Sequence, residues 1–226
     1  MAERGKPAPS GIFVLAGCNG AGKTSIAGAA LRAAGIDFFD PDRAARSIVA
    51  ANPRSALTQH EANAQAWNIG RRLLERAIDA RQTFAIETTL GGTTMTALLT
   101  RAADAGISVH VWFVGLESVE MHVDRVRRRV AKGGHAIAVE MIRRRFAAAP
   151  INLIKLMPGL RQLYLYDNSM EGDPDAGVRP SPRLLMHVRD QRITQPHGVR
   201  GLTTRMPQWA KPIVAASLKL HLGRSA

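Results

Sequence analysis

The 226-residue sequence has one cysteine, few aromatic side chains and far fewer acidic than basic residues. A single cysteine excludes an internal disulfide and predicts a reducing compartment, which we take to be the cytoplasm. No apolar run approaches the roughly 18 residues of a membrane-spanning helix, so we expect no membrane association. Aromatic residues make up 5% of the chain, which argues against an aromatic surface on which the bases of a single strand could stack.

The shortage of acidic residues leaves a formal net charge of +13, from 31 lysines and arginines against 18 aspartates and glutamates. The surplus is concentrated in residues 121–161 and continues in residues 171–226. The positive electrostatic potential of such a chain attracts polyanions, so nucleic acid is kept among the possible partners. An enzyme that transfers phosphoryl groups also needs cations around its substrates, and the first region suits that role.

The stretch from Gly17 to Thr24 fits the phosphate-loop pattern of Gly, four residues and Gly-Lys-Thr. An apolar run of strand length precedes it, and an Ala- and Leu-rich helix is predicted to follow it. Glycines let successive N–H groups face phosphate oxygens, Lys23 reaches the β- and γ-phosphates, and the Thr24 hydroxyl ligates Mg²⁺. We therefore predict that the protein binds a nucleoside triphosphate together with Mg²⁺. The residues predicted to bind the nucleotide are Gly17, Asn19, Gly20, Ala21, Gly22, Lys23, Thr24, Ser25 and Arg125.

Strands and helices alternate, which predicts an α/β fold with a parallel sheet and right-handed crossovers. We expect a P-loop NTPase domain over residues 11–170, with five parallel strands flanked by helices, and a small C-terminal extension over residues 171–226. The predicted strands are residues 11–16, 35–40, 83–90, 107–116 and 162–166. The predicted helices are residues 25–34, 42–50, 58–80, 93–105, 119–131 and 137–149. For the extension we predict a loop at 170–182, a hairpin at 184–193 and a helix at 207–222.

Two details of this prediction come from single residues. Thr93 or Thr94 is expected to cap the helix that follows the glycine pair at residues 91–92. The helix over residues 137–149 is expected to stop before Pro150, because proline lacks the N–H that a continuing helix needs.

Catalytic groups of such a fold gather at the carboxyl ends of the strands. Asp42 follows the second predicted strand and is the candidate general base, since an attacking alcohol must give up its proton. The alternative for Asp42 is a helix cap, and Asp40 is its rival as base or a partner of Mg²⁺-bound water.

Three residues at the end of the third predicted strand are candidates for contact with the acceptor. Glu87 needs a partner at the end of an apolar strand, so it either contacts the acceptor or Mg²⁺-bound water, or forms a buried structural ion pair. Thr88 and Thr89 either hydrogen-bond the acceptor or simply favour the strand conformation.

Arginines in two predicted helices are candidates for phosphate binding. Arg125 and Arg129 stand four residues apart and therefore share one helix face. A basic helix that ends at a glycine pair resembles an Arg-rich lid that closes over phosphates, whereas the alternative is a solvated basic face. Arg143, Arg144 and Arg145 form a second group, in which Arg145 is expected to face the inside of the protein. His135, after the glycine pair, either contacts a ligand or caps a helix.

Six segments together resemble the zeta-toxin family of kinases, over about residues 11–170. They are the phosphate loop, Asp40-Pro41-Asp42, Glu87-Thr88-Thr89-Leu90, Arg125-Val126 with Arg129-Val130 and Gly133-Gly134-His135, Ile142 with Arg145-Phe146, and Tyr166-Asp167-Asn168-Ser169. The resemblance implies ATP-dependent phosphorylation of a nucleotide sugar, typically at the 3′-hydroxyl of UDP-N-acetylglucosamine. It also implies restraint by a small antitoxin protein.

The same resemblance implies a role for each matching residue. Lys23 and Thr24 hold ATP and Mg²⁺, with Thr24 as the metal ligand, and Asp42 is the base. Glu87, Thr88 and Thr89, with Asp42, bind the acceptor. The residues predicted to be catalytic are Lys23, Asp42, Arg129 and Arg145. Two alternatives stay open: a kinase for another small molecule or a polynucleotide end, and an NTPase stimulated by nucleic acid.

Overall fold

The computed structural model describes residues 11–52, 57–171, 181–197, 202 and 206–223. Its strands are β1 (Ile12–Ala16), β2 (Phe84–Thr88), β3 (Val109–Gly115), β4 (Gln162–Asp167), β5 (Arg183–Arg189) and β6 (Arg192–Gln195). Its helices are α1 (Lys23–Ala33), α2 (Pro41–Ala51), α3 (Gln59–Asp79), α4 (Thr93–Asp104), α5 (Val119–Ala131), α6 (Val139–Leu156) and α7 (Lys211–Gly223). Within these residues, no helix combines the length and the apolar composition that crossing a membrane requires.

The six strands form one mixed sheet in the order β2-β1-β3-β4-β5-β6. The first four strands of this order pair in parallel, whereas β5 and β6 are antiparallel. The prediction of five parallel strands is therefore wrong, although the α/β class is right. The predicted hairpin supplies the two antiparallel strands. Its turn residues Asp190 and Gln191 have φ values of 49° and 64°, as a tight two-residue hairpin turn requires.

Residues 35–40, predicted as the second strand, form only an isolated bridge at Phe39. The Phe39 N–H donates to the Ala85 carbonyl at 2.8 Å, and the Phe39 carbonyl accepts from the Glu87 N–H at 2.9 Å. The pairing goes no further because the next residue, Asp40, is already the N-cap of α2.

Helix α6 continues through Pro150, where the sequence predicted its end. Proline removes one helix hydrogen bond, but tertiary contacts beyond it outweigh that loss. Leu153 and Leu156 are buried in the main core, and the Asn152 amide donates to the Leu90 carbonyl at 2.7 Å.

The cap of α4 also differs from the prediction. Gly92, not Thr93 or Thr94, is the N-cap, and no side chain caps the helix. The Thr96 hydroxyl donates back to the Gly92 carbonyl at 3.2 Å. The remaining predicted helices lie within a few residues of the observed ones, and residues 172–180 of the predicted loop lie outside the described residues.

The sheet packs helices on both faces. Helix α1 covers one face of β1, where Phe13 and Leu15 meet Ala27 and Leu31. Helices α3, α4, α6 and α7 contribute to the larger core on the other face. Every residue of β1 is buried, as expected for a central parallel strand. The carboxyl ends of β1, β2 and β3 therefore share one edge, where the candidate site lies. The domain boundary at residue 171 stays a prediction, and β5 pairs directly with β4.

Candidate active site

The phosphate loop joins β1 to α1 and has a tightly curled backbone. Gly17, Gly20 and Gly22 have φ values of 133°, 80° and 86°, a region that residues with a side chain rarely adopt. A Cβ atom at Gly17 would collide with the carbonyl oxygen of Val114. Helix α1 begins within the loop, at Lys23, so the N–H groups of its first residues are available to an anion.

The phosphate-loop lysine is held by a carboxylate from the neighbouring strand. Lys23 is 6% exposed, and its ammonium lies 3.4 Å from Glu87 Oε1 and 3.3 Å from the Cys18 carbonyl oxygen. The second oxygen of Glu87 accepts a hydrogen bond from the Thr24 hydroxyl at 2.7 Å. Glu87 thus has the partners that its position at the end of an apolar strand requires. Thr24 and Ser25, in the first turn of α1, are both exposed.

The two aspartates beside α2 have different surroundings. Asp40 Oδ1 accepts from the N–H groups of Asp42 and Arg43 at 2.9 and 3.1 Å, so Asp40 is the helix cap. Asp42 lies inside the first turn, with Oδ2 at 3.3 Å from Arg129 Nη1 and Oδ1 at 3.9 Å from His135 Nε2. The capping role that was an alternative for Asp42 is therefore filled by Asp40.

One cavity of about 580 Å³ is lined by seven of the fifteen predicted site residues. It lies between the phosphate loop, the start of α2, helix α3, the end of β2 and the segment that leads into α6. The predicted residues among its lining are Asn19, Lys23, Asp42, Glu87, Thr88, Thr89 and Arg145. The lining that the described residues form does not include the other eight, which are Gly17, Gly20, Ala21, Gly22, Thr24, Ser25, Arg125 and Arg129. Other residues of its lining include Asp40, His60, Asn63, Trp67, His135, Met141 and Arg144.

The predicted arginines have separate partners. Arg145 Nη1 donates to Asn19 Oδ1 at 2.8 Å, and burial lowers the pKa of its guanidinium from the ordinary value. Arg129 has two buried nitrogens, Nε and Nη2, without a hydrogen-bond partner in the part of the chain that the structure describes. Arg125 instead binds the Asn168 carbonyl at 2.7 Å and Glu171 at 3.3 Å. Four residues advance a helix by about 6 Å, which separates two side chains on one face.

Three residues at the site had no role in the sequence prediction. Asn168 donates its amide to the Ala21 carbonyl at 2.8 Å, directly after β4. His122 Nδ1 lies 2.7 Å from the Asn19 carbonyl, and burial lowers the pKa of His122 to about 4, which keeps it neutral. Trp67 lines the cavity and is 41% exposed. The rule that sites gather at strand ends would have found Asn168, whereas the two helical residues carry no comparable signal.

Comparison with known proteins identifies the family. The family model described as Zeta toxin matches residues 2–161. This chain belongs to the zeta-toxin family of P-loop kinases. An uncharacterised protein of Haemophilus influenzae is 33% identical to this zeta-toxin family chain over 130 residues, which are 58% of the chain and 88% of that protein.

Two solved structures share the fold of this zeta-toxin family chain at low sequence identity. A chain of the AvrRxo1-ORF1:-ORF2 complex with ATP has a TM-score of 0.63 and 14% identity, over 93% of this chain and 64% of that chain. A chain of the PezAT chromosomal toxin-antitoxin system of Streptococcus pneumoniae has a TM-score of 0.50 and 14% identity, over 72% and 68%. The chain thus spans less than two thirds of the AvrRxo1 chain.

Proposed function

We propose that this protein transfers the γ-phosphoryl group of ATP, bound with Mg²⁺, to a hydroxyl of a nucleotide sugar of the UDP-N-acetylglucosamine type. The observation that carries the proposal is that Lys23, Glu87 and Asp42 line one cavity at the carboxyl edge of the sheet. Membership of the zeta-toxin family and the shared fold of a complex solved with ATP support it.

The residues around the phosphate loop fit a triphosphate and its metal ion. Three left-handed glycines and the start of α1 provide N–H groups, and Lys23 would hold the β- and γ-phosphates. Thr24 would ligate Mg²⁺, and the carboxylate of Glu87, 2.7 Å from the Thr24 hydroxyl, suits a contact with metal-bound water. When bound, Mg²⁺ supplies positive charge that neutralises the phosphoryl group during transfer.

Asp42 would accept the proton of the acceptor hydroxyl. Its carboxylate is one-third exposed at the cavity and is not used as the helix cap, which leaves it available as a base. Arg129 and Arg145 would neutralise charge on the transferred phosphoryl group, because guanidinium groups stay charged at neutral pH.

The cavity supports an acceptor of nucleotide-sugar size. Its volume of about 580 Å³ lies within the usual range for small-molecule sites, roughly 300–1,000 Å³. The Thr88 and Thr89 hydroxyls accept from the Leu90 and Gly91 N–H groups at 3.1 and 3.4 Å, so their own hydrogens remain available to an acceptor. Trp67 adds a ring face suited to a flat base.

The deciding experiment is mass spectrometry of UDP-N-acetylglucosamine incubated with the protein, ATP and Mg²⁺. We expect a product that carries one additional phosphate. Asp42→Asn is expected to lower the rate by at least about 100-fold while ATP still binds, because only proton transfer is removed. Asp40→Asn is the matched control, since asparagine caps a helix as well as aspartate and should leave transfer largely intact.

Other results would change the proposal in defined ways. Full transfer by Asp42→Asn would show that Asp42 is not the base. Phosphorylation of another metabolite would keep the kinase and replace the acceptor. ATP turnover that rises with added DNA or RNA, and falls steeply with salt, would favour the nucleic-acid-stimulated NTPase.

The proposal extends to a partner and a compartment. The PezAT structure belongs to a toxin-antitoxin system, which supports a small antitoxin protein as a partner of this chain. The single cysteine, Cys18, is buried and unpaired, which is compatible with a cytoplasmic setting.

A further inference from the structure

We propose that Asn168 is a positioning residue that holds the phosphate loop in its phosphate-binding conformation and joins it to helix α5. The residue follows β4, in a segment to which the proposed function gives no role. The part of the inference that concerns ATP rests on that function, whereas the part that concerns the loop does not.

Asn168 fixes the direction of one peptide bond in the phosphate loop. The Asn168 amide nitrogen donates to the Ala21 carbonyl at 2.8 Å, and Asn168 is 9% exposed. In a trans peptide the carbonyl and the following N–H point in opposite directions. Fixing the Ala21 carbonyl on Asn168 therefore turns the Gly22 N–H away from Asn168. That N–H stands directly before Lys23.

The Asn168 amide also packs closely against the loop. A Cβ atom at Gly22 would lie 2.6 Å from the Asn168 amide nitrogen. The φ of 86° already favours glycine at this position, and the contact with Asn168 adds a steric reason. The position of the Asn168 amide therefore leaves room only for glycine at position 22.

The backbone of Asn168 joins two more elements to the loop. Its N–H donates to the Gly115 carbonyl at 3.0 Å, at the end of β3. Its carbonyl accepts from Arg125 Nη2 at 2.7 Å, on α5. Asn168 therefore links the phosphate loop, the sheet edge and α5. Arg125, predicted to bind the nucleotide, would act through this link.

A second buried asparagine, Asn152 of helix α6, provides a matched control. The Asn152 amide donates to the Leu90 and Gly92 carbonyls at 2.7 and 3.4 Å, and Asn152 is 5% exposed. The chemistry of the bond is the same as at Asn168, but the loop that it holds follows β2. Loss of this bond should not disturb the phosphate loop.

The test measures ATP affinity and backbone exchange in the full chain. Calorimetric titration with ATP and Mg²⁺ should show about fivefold weaker binding for Asn168→Ala, the typical effect of one lost hydrogen bond, and no change for Asn152→Ala. Without ligand, hydrogen exchange at residues 17–24 should be faster in Asn168→Ala than in wild type. Asn168→Asp, which keeps the shape but replaces the donor by an acceptor, should weaken ATP binding further.

Wild-type ATP affinity in both Asn168 variants, with unchanged loop exchange, would overturn the proposal. So would an equal loss of affinity in Asn152→Ala, because the effect would then reflect general destabilisation. If the wild-type protein binds no ATP, the proposed function fails, and loop exchange alone decides the role of Asn168. If Asn168→Ala does not fold, Asn168→Ser is measured in its place.

Discussion

At the scale of single residues, the site contains opposite charges that pair with one another. Glu87 faces Lys23, and Asp42 faces Arg129. Lys23 is 6% exposed, and a buried cation without a partner is costly, so the pair with Glu87 stabilises Lys23 in the folded protein. Under the proposed function, bound phosphate would take over the cations, and Glu87 and Asp42 would become available for the metal-bound water and the acceptor hydroxyl.

Arg129 should be more important for transfer than any exposed arginine of α5. Its Nη1 lies 3.3 Å from Oδ2 of Asp42, the proposed base, so its guanidinium stands beside the proposed site of transfer. We expect Arg129→Ala to lower kcat by at least about 100-fold in the UDP-N-acetylglucosamine assay. Arg127→Ala is the control, because Arg127 is 71% exposed and pairs with Asp124 of the same helix. Similar kcat values for the two variants would remove Arg129 from the reaction.

At the scale of elements, the sequence prediction is accurate where residues close together in the sequence determine the structure. Helix α5 begins and ends as predicted, and its local signal is strong: the Ser118 hydroxyl accepts from the Met121 N–H at 3.3 Å. The prediction failed at Pro150 and at residues 35–40, where long-range contacts decide. Burial of residues beyond Pro150 outweighs a missing N–H, and capping by Asp40 ends a pairing that the apolar pattern would have continued.

The same distinction applies to the site. Lys23, Asp42 and Glu87 were expected to meet because parallel strands end at one edge, and all three line the cavity. The contribution of α3 was not predicted, because the face of a helix that lines a cavity depends on its packing angle. No pattern within residues 58–80 records that angle.

Helix α3 offers a direct test of acceptor binding. Trp67 and Ile69 are similarly exposed, at 41% and 43%, but only Trp67 is part of the cavity lining among the described residues. Stacking of a base on an aromatic ring contributes about 1–3 kcal/mol, so Trp67→Ala should raise the KM for UDP-N-acetylglucosamine at least about fivefold with little change in kcat. Ile69→Ala should leave both constants unchanged. An unaltered KM in Trp67→Ala would place the base elsewhere.

At the scale of the whole molecule, side chains from residues 209–214 near the C-terminus are part of the main core, together with the strands β1 and β3 beside the phosphate loop. The Trp209 ring stacks on Phe113 of β3 at 6.0 Å between centroids, and Ile213 of α7 is completely buried in the same core. A Cβ atom at Gly115 would meet the Trp209 ring at 2.5 Å, so the end of β3 is shaped to this contact. We therefore expect the two parts of the chain to unfold in a single transition.

Unfolding should also depend on pH through His122. Burial holds the pKa of His122 at about 4 in the folded protein, against 6.5 as the ordinary value. Between these values the unfolded chain binds a proton that the folded chain does not, so stability falls as the pH drops from 7 towards 4. The linkage relation gives a loss of about 2 kcal/mol at pH 5.

The expected measurement is urea unfolding at pH 7 and pH 5 for the wild-type protein and for His122→Gln. Glutamine can still donate to the Asn19 carbonyl but has no proton to gain, so its free energy of unfolding should fall by about 2 kcal/mol less than that of the wild type. Carboxylates that titrate in this range affect both proteins equally and cancel in the comparison. Equal losses in the two proteins would mean that His122 is already accessible to protons in the folded state, and that the helix α5 contact with the phosphate loop is looser than its 2.7 Å distance indicates.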